Sequence, residues 1–451
     1  MIKKIKKYKL FFIFIPILLV ILVVGRYFGI QDEPYLSPYP DGKNFAFTIT
    51  DDAHNQTVEK IKPIYDFLYE LGLKTTIAAY VKKPVRTNGV PDNALNELAF
   101  DVRNSYINSD PAIKGDTLQQ KDYLSFIKEL HNKGFEIAIH TVSAGNDLRE
   151  VTTSGYEEYK RIFGEYPKIN IMHSNNLENV YWGPNVFHSK TARWIFKNLI
   201  GIVYPKARFP FSGEDSNSLY FWGDILKEKT KYVRLWGTSG INTLKFNPSM
   251  PYHDSQKTFV NYWFSFSEGH TSHVFNKLLS DKNIKKLSQE RGATIVYTHF
   301  ASNFVKKSNS GEYILNPVTK TQLTKLTKQK DGWFVPVSEL LDRFLLMKNV
   351  VLFDTESALI VSNVNASPVR GVTIVVKPGS IFYDWEGHPL FPNEEGEIVI
   401  GDLLEHSSMV LYKSDNVLFA KNATPKWREK AKLVFSRIFV WITTMLDLQF
   451  I

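Results

Sequence analysis

The chain has 451 residues, of which 43% are hydrophobic and 22% charged, as in an ordinary globular protein rather than a disordered or fibrous one. Its formal charge is +9, but five lysines within the first nine residues supply more than half of it, and the weak surplus elsewhere argues against a nucleic-acid-binding protein. The absence of cysteine excludes disulfides, thiolate metal sites and a cysteine nucleophile, so any bound metal must be held by histidines and carboxylates.

The N-terminus predicts a membrane anchor. A basic cytoplasmic segment, 1–9, precedes an unbroken apolar run from Leu10 to Gly25, and we expect a transmembrane helix over 10–30. A cleaved signal peptide is the alternative, although no small-residue cleavage site follows the run. Because the basic residues precede the span, the positive-inside rule predicts a single-pass membrane protein with its main domains outside the cytoplasm. Residues 31–43 are then a tether.

From residue 44, short apolar runs alternate with helical patterns, which is typical of an α/β fold with parallel strands. The first predicted strand, Phe45–Thr50, is followed by a helix over 56–71 that ends at Gly72. The pattern then predicts strands over 74–80, 135–140, 168–173, 200–204, 232–237 and 293–299, and helices over 118–132, 155–163 and 337–347. We expect one α/β domain over 44–347, with a long insertion at about 188–290, where aromatic residues, Ser and Asn are frequent.

After residue 347 the pattern changes to short β runs separated by turns, which predicts a β-sandwich over 348–414. Two roles are open for it, carbohydrate binding and support of the first domain. The tail, 425–451, carries Lys, Arg and aromatic residues and ends in an apolar stretch. It is either an amphipathic helix on the membrane surface or a helix packed on its own domain.

Four predicted strands end in polar residues. Asp51 and Asp52 follow the first strand, and His140, His173 and His299 close three others. A single such residue is more often structural, but the carboxyl ends of parallel strands converge, so the four together indicate a functional site. One aspartate of an adjacent pair can bind a metal while the other accepts a proton from water. With His and carboxylate ligands, zinc or another divalent first-row metal is expected.

The segments that carry these residues, FTITDDAH, GFEIAIHTVSAG and RGATIVYTHF, resemble motifs of the polysaccharide deacetylase superfamily, carbohydrate esterase family 4 in the broad sense. The resemblance covers about 44–347. It implies a distorted (β/α) barrel, usually seven-stranded, that removes acetyl groups from glycans with a divalent metal. It also implies Asp51 as catalytic base, Asp52 and His140 as metal ligands, and His299 as catalytic acid.

The sequence departs from the family pattern at two places. Ala144, one helical turn from His140, stands where the third metal ligand is expected, and Met172-His173 stands where the arginine of another motif is expected. Either another residue supplies the third ligand or the metal is lost. His173 is the first candidate for that ligand, and His54, two residues after Asp52, is the second.

We therefore expect a membrane-anchored, metal-dependent deacetylase that acts on an envelope or exported polysaccharide. It binds no nucleic acid, and envelope assembly proteins are candidate partners. Aromatic side chains can stack on sugar rings, and the candidates for this role are Trp182, Trp222 and Trp236.

Two other classes of function remain open. A barrel without metal is a glycan-binding or scaffold protein of a polysaccharide assembly machine, which Ala144 supports. A glycoside hydrolase or lyase on a related barrel uses two separated carboxylates, such as Asp51 with Glu214 or Glu268. A deacetylase releases acetate, whereas a glycosidase shortens the polymer.

Overall fold

A computed structural model describes residues 34–84, 115–174, 176–203 and 205–414. Within these ranges no helix combines the length and the apolarity needed to cross a membrane. The predicted basic segment, anchor and tail lie outside the described residues, as does the start of the predicted tether. The described chain forms two compact units, one of residues 43–345 and one of residues 34–42 with 346–414.

The larger unit is a closed barrel of seven parallel strands, which confirms the predicted barrel. The strands follow one another around the barrel in chain order, and the last pairs with the first. Strand β1 (Tyr35–Leu36) belongs to the other unit. The barrel strands are β2 (Phe45–Asp51), β3 (Thr76–Ala79), β4 (Glu136–Ile139), β5 (Ile169–Asn170), β6 (Tyr232–Thr238), β7 (Tyr262–Glu268) and β8 (Ala293–Thr298).

Three shorter strands accompany the barrel. A hairpin follows β8, and its strands are β9 (Val305–Lys307) and β10 (Tyr313–Leu315). Strand β11 (Gly332–Trp333) pairs in parallel with the first residues of β2.

Helices fill the connections between the strands. Those before β6 are α1 (Val58–Glu70), α2 (Lys121–Asn132), α3 (Arg149–Phe163), α4 (Lys190–Ile195), α5 (Gly201–Val203) and α6 (Gly223–Lys229). Those after it are α7 (Thr243–Phe246), α8 (Ser272–Leu278), α9 (Asp281–Gln289), α10 (Pro317–Thr327) and α11 (Val337–Met347). Short 3₁₀ turns occur at Gly183–Val186 and Pro205–Arg208, and a π-helical stretch, Phe196–Ile200, joins α4 to α5.

The barrel core lies between the strands and the helices around them. All seven residues of β2 are buried, as is typical of a strand covered on both sides. Helix α1 contributes Ile61, Ile64, Tyr65 and Leu68 to the core, at the spacing of one helix face. This packing holds the carboxyl end of β2, and therefore Asp51 and Asp52, in a fixed position.

The stretch 188–290 is not an insertion outside the barrel, because it supplies two of the seven strands. Strand β6 was predicted, but β7 was not, since aromatic residues and serines alternate in YWFSFSE where an apolar run was expected. The predicted strand over 200–204 is wrong: the described part of this segment, up to Val203, is helical. Short apolar runs fit both a strand and a helix, and here the preceding residues continue as a helix into the run.

The smaller unit is a β-sandwich, as predicted, with one core shared by two sheets. One sheet contains β1, β14 (Val369–Val375) and β17 (Glu397–Leu403). The other contains β12 (Val350–Asp354), β13 (Ala358–Asn363), β15 (Phe382–Tyr383), β16 (Pro389–Leu390) and β18 (Ser408–Tyr412). Part of the predicted tether is thus a strand, because Tyr35 and Leu36 pair with Val375 and Ile374 of β14.

Candidate metal centre

The carboxyl ends of the barrel strands bring the predicted polar residues together. Asp52 follows β2, and its backbone N–H donates to the Thr298 carbonyl at the end of β8, one residue before His299. His140 follows β4, and its N–H donates to Ala79 at the end of β3. His173 lies beyond β5. Strand pairing therefore places these side chains around one end of the barrel, where active sites of such folds lie.

Three imidazoles form a triangle at this end. The ring centroids of His54, His140 and His173 are 5.0, 4.9 and 5.4 Å apart. The Nε2 atoms of His54 and His140 are 2.9 Å apart. His299 lies beside the triangle, its ring stacked on that of His54 at 4.5 Å. His140 and His173 are buried, whereas His54 and His299 are partly exposed, so the cluster opens to solvent on the side of these two rings.

Hydrogen bonds on the far side of two rings set their orientation. Nδ1 of His140 lies 2.8 Å from the carbonyl of Ile171, to which it donates, and Nδ1 of His173 lies 2.7 Å from the side-chain oxygen of Asn176. A proton on each Nδ1 leaves the lone pair on Nε2 in the neutral imidazole. Metal-binding histidines are oriented by partners of this kind.

The pKa values of His54, His140 and His299 favour the neutral form. Burial lowers the pKa of His140 to about 3, and the nearby His173 and Arg234 act in the same direction against the opposing effect of Asp52. Burial and the neighbouring imidazoles hold the pKa of His54 well below its usual value, and burial also lowers that of His299. Neutral imidazoles are the form that binds a metal ion.

Asp52 is held by an arginine that the motif analysis missed. The guanidinium of Arg234, on β6, donates to both carboxylate oxygens at 2.7 and 2.6 Å. Burial alone would raise the pKa of Asp52, but Arg234 and His140 outweigh it and lower the pKa. The carboxylate oxygen lies 3.9 Å from Nε2 of His140. A charged residue within the apolar run YVRLWG was the signal in the sequence.

Arg234 is itself fixed by its surroundings. Its guanidinium lies over the rings of Tyr297, at 4.5 Å, and Phe266, at 5.1 Å, and it also donates to Thr50. A bidentate pair between planar groups allows little change in direction. Asp52 is therefore an ionised carboxylate in a fixed position beside the histidines.

The residues present fit a divalent metal ion. Three imidazoles bound to a tetrahedral ion at about 2.0–2.1 Å have centroids roughly 5 Å apart, close to the separations of His54, His140 and His173. Among the described residues at this end of the barrel, the ligand atoms shown to converge within 4.8 Å of one another are those of Asp52, His54 and His299. In the triangle, the measured distance between ligand atoms is the 2.9 Å from Nε2 of His54 to Nε2 of His140. Both combinations include His54, which was the second candidate for the third ligand.

Ala144 takes no part in the centre. It is buried in a small apolar cluster with Ala53 and Tyr80. The expectation that it lies one helical turn from His140 is wrong, because the residues after β4 form a loop before α3 begins at Arg149. Within this loop Thr141 adopts a φ of 52°, which is unfavourable for a β-branched residue, and its hydroxyl donates to the Ser143 carbonyl.

Asp51 does not join the centre. Its Oδ1 accepts the N–H of Phe300 at 2.7 Å, and its Oδ2 accepts from Gln56 at 2.9 Å and from the Tyr65 hydroxyl at 3.0 Å. The side chain is completely buried, and burial raises its pKa well above the usual value despite these donors. The role of Asp51 as catalytic base stays a prediction, and its hydrogen bonds run to Gln56, to Tyr65 of α1 and to Phe300 rather than to the histidines.

A buried polar network behind His173 was also missed. The amide of Asn176 donates to Glu178 at 2.6 Å, while Asp147 accepts from the backbone and hydroxyl of Ser143. Burial raises the pKa values of both acids, and Asp147 adds to the effect at Glu178. The sequence signal was the polar run HSNNLEN directly after β5.

The aromatic candidates have different environments. Trp222 is 1% exposed and its indole N–H donates to the Glu178 carbonyl, so the prediction that it binds substrate is wrong. Trp182 and Trp236 are partly exposed. Trp236 lies within a register irregularity of β6, between Arg234 and Gly237, and has a φ of 58°, a strained backbone that interrupts the strand pattern. Trp182 and Trp236 stay predictions.

The two carboxylates considered for a glycosidase have other partners. One Glu214 oxygen accepts the backbone N–H of Tyr181, and Glu268 pairs with His270 at 2.7 Å. Since Asp51 is completely buried with three donors, the proposed pairing of Asp51 with either acid loses its support.

Comparison with known proteins gives remote similarities only. No family model and no curated protein matches the chain. Similar solved structures include Puue allantoinase, with 10% identity over 70% of this chain and 95% of that one and a TM-score of 0.38. The catalytic domain of a peptidoglycan N-acetylglucosamine deacetylase from Eubacterium rectale has 12% identity, 69% and 92% coverage and a TM-score of 0.29.

A family 4 acetyl xylan esterase from Clostridium thermocellum, in complex with a cobalt ion, has 11% identity, covers 66% of this chain and 90% of that one, and has a TM-score of 0.29. Esterases and deacetylases of this kind are the family that the motifs resemble. At such identities and TM-scores the similarity carries no inference about activity, which must follow from the residues of this chain.

Proposed function

We propose that the chain is a metal-dependent hydrolase that removes acetyl groups from a polysaccharide. The observation that carries the proposal is the triangle of His54, His140 and His173 beside the ionised pair of Asp52 and Arg234. It combines a set of imidazole nitrogen ligands with a separate proton acceptor, as metal-assisted hydrolysis of an acyl group requires.

The three imidazoles would hold the ion, and zinc suits three nitrogen ligands with an open fourth position. When bound, the ion would supply a polarised carbonyl and a water of lowered pKa. Arg234 keeps the carboxylate of Asp52 ionised at neutral pH, so that Asp52 is the residue assigned to accept a proton. This assignment gives Asp52 the proton-accepting role that the resemblance implied for Asp51.

His299 supplies the proton to the departing group. Its Nε2 lies 3.1 Å from the Tyr297 hydroxyl, and its ring is partly exposed beside His54. To act as the acid, the ring must carry a proton when the group departs; burial opposes that protonation and the nearby Asp52 favours it. The partly exposed Trp182 and Trp236 are retained as candidates to stack on a sugar ring.

The proposed substrate is an envelope or exported polysaccharide, reached by a chain whose residues 10–30 anchor it in the membrane with the barrel outside the cytoplasm. The apolar run and the five preceding lysines support this location. Envelope assembly proteins remain predicted partners.

The test is bound metal and acetate release in the purified full chain. Wild type is compared with His54→Ala, His140→Ala and His173→Ala, using acetylated glycan as substrate. We expect about one equivalent of divalent metal in wild type, and loss of both metal and acetate release in each variant. His388→Ala is the matched control, because a separate exposed group of Asp384, Glu386 and His388 in the sandwich can also attract metal.

Two results would contradict the proposal. Wild type that binds glycan but holds no metal and releases no acetate is a binding protein, the function that Ala144 first suggested. Shortening of the polymer without acetate release would identify a glycosidase instead.

A further inference from the structure

The helical run between β5 and β6 presents an unusual surface. Residues 190–203, formed by α4, the π-helical stretch and α5, leave large apolar side chains in solvent. Ile202 is 67% exposed and Val203 88%. The other exposed apolar side chains of the run are Trp194, Ile195, Leu199 and Ile200. Contiguous exposed apolar surface of this kind marks a site of interaction.

The charges of the run have one sign. Between Asn179 and Gly213 the sequence contains five Lys and Arg residues and neither Asp nor Glu. Within the run the cations are Lys190, Arg193 and Lys197, whose i, i+3, i+7 spacing puts them on one helix face. Ile195, Leu199 and Ile202 have the i, i+4, i+7 spacing of a second face. The π-helical stretch Phe196–Ile200 interrupts this regular spacing, and Trp194, four residues after Lys190, lies on the side of the cations.

We propose that residues 190–203 bind the surface of an anionic lipid bilayer. A helical segment that exposes apolar side chains, a tryptophan among them, together with cations lies in the membrane interface, where apolar side chains enter the acyl boundary and cations meet lipid phosphates. The run is too short to cross the bilayer. A second copy of the chain fits less well, because a symmetric contact would bring the cations of both copies together without any acidic partner in the segment.

The position of residues 190–203 in the fold determines which end of the barrel lies near the membrane when the run binds lipid. Phe187 joins the run to the barrel end that carries the histidines, because its ring contacts Phe196 at 5.2 Å and Trp236 at 6.1 Å. Trp236 lies two residues after Arg234. Binding of the run to lipid therefore holds the open end of the barrel near the membrane surface. The inference rests on the exposed faces alone and stands whether or not the barrel is a deacetylase.

The absence of cysteine makes the test direct, because one introduced cysteine is a unique labelling position. Ile202→Cys carries a fluorescent label in the run. Glu70→Cys, exposed at the last turn of α1 and so at the opposite end of the barrel, is the matched control. Each full-length variant is reconstituted into phosphatidylcholine vesicles with and without phosphatidylglycerol, and quenching by brominated acyl chains is compared with quenching by aqueous iodide.

We expect brominated lipid to quench the label at 202 several-fold more than the label at 70 in vesicles that contain phosphatidylglycerol, with iodide quenching reduced in proportion. In the Ile202→Cys background, Lys190→Glu, Arg193→Glu and Lys197→Glu together should abolish this difference. Equal quenching of both labels by brominated lipid would overturn the proposal. So would a label at 202 that is shielded from iodide yet unaffected by brominated lipid, since a second copy or another part of the chain would then cover the run.

Discussion

The adjacent aspartates at the end of strand β2, Asp51 and Asp52, have pKa values shifted in opposite directions. On the outer side, Asp51 is enclosed by the core and by neutral donors, and burial raises its pKa. On the inner side, Asp52 is equally buried, but Arg234 pairs with both its oxygens and the pKa is lowered. The same residue type at consecutive positions is a structural acceptor on one side and an ionised carboxylate on the other.

The difference shows that burial alone does not decide the state of a carboxyl group. Neutral donors reduce the cost of removing a charge from water but do not supply an opposite charge, whereas a buried guanidinium does. The ionised carboxylate also lies among neutral histidines, which separates a proton acceptor from metal ligands. Substituting Asp51 and Asp52 separately tests whether the two carboxyl groups have these different roles.

The largest expected effect separates the two aspartates in catalysis. Asp52→Asn removes the proton acceptor but not the imidazoles, so acetate release should fall by about 10²–10⁴-fold while bound metal is retained. Asp51→Asn should reduce acetate release by less than about tenfold, because its carboxyl group does not face the centre. Metal content and acetate release of both purified variants measure this.

Two results would contradict this expectation. Loss of metal in Asp52→Asn would make Asp52 a ligand, in the combination with His54 and His299. A full loss of activity in Asp51→Asn with metal retained would restore Asp51 as the base.

The second-largest expected effect is a loss of folding stability when Asp51 is replaced. Asp51→Ala leaves the Phe300 N–H, the Tyr65 hydroxyl and the Gln56 amide without their acceptor, and we expect a loss of roughly 2–5 kcal/mol in the free energy of unfolding. Asp51→Asn keeps an acceptor oxygen and should cost less than half as much. Denaturant unfolding of wild type and both variants tests the expectation, and an Asp51→Ala protein as stable as wild type would contradict it.

The smallest expected effect is the pH dependence of folding stability that the buried His140 causes. In metal-free protein, the pKa of His140 is about 3 in the folded state against an ordinary value of 6.5. As the pH falls below 6.5 toward 3, the unfolded chain takes up a proton that the folded chain does not. Stability is therefore lost at about 1.4 kcal/mol per pH unit for such a histidine.

His140→Gln should make this loss shallower by about that amount between pH 6 and pH 4, measured as unfolding free energy in a chelator. Comparing slopes removes the contribution of other groups, such as Asp51, whose raised pKa acts in the opposite direction. His388→Gln controls for loss of an exposed imidazole. Equal slopes in wild type and His140→Gln would show that burial does not lower the pKa of His140 in the folded protein.

Much of the barrel was predictable because its signals are local. Strands such as Phe45–Asp51 are apolar runs bounded by polar residues, and helices such as α1 carry the spacing of a buried face. Strand β7 and the helical run at 190–203 were missed, since alternating aromatic and serine residues or short apolar runs fit more than one structure. Histidines at strand ends were recognised as a set because parallel strands end together.

By itself, the sequence determined the parallel α/β pattern, the sandwich that follows it, and the polar strand ends at Asp52, His140, His173 and His299. Only the tertiary structure decided which aspartate faces inward, that Arg234 reaches it from 182 residues away, and that His54 completes the triangle of imidazoles. The ends of strands can be recognised from the residues nearby in the sequence. Side-chain direction and long-range pairing depend instead on barrel closure and strand register, which bring distant segments to one place.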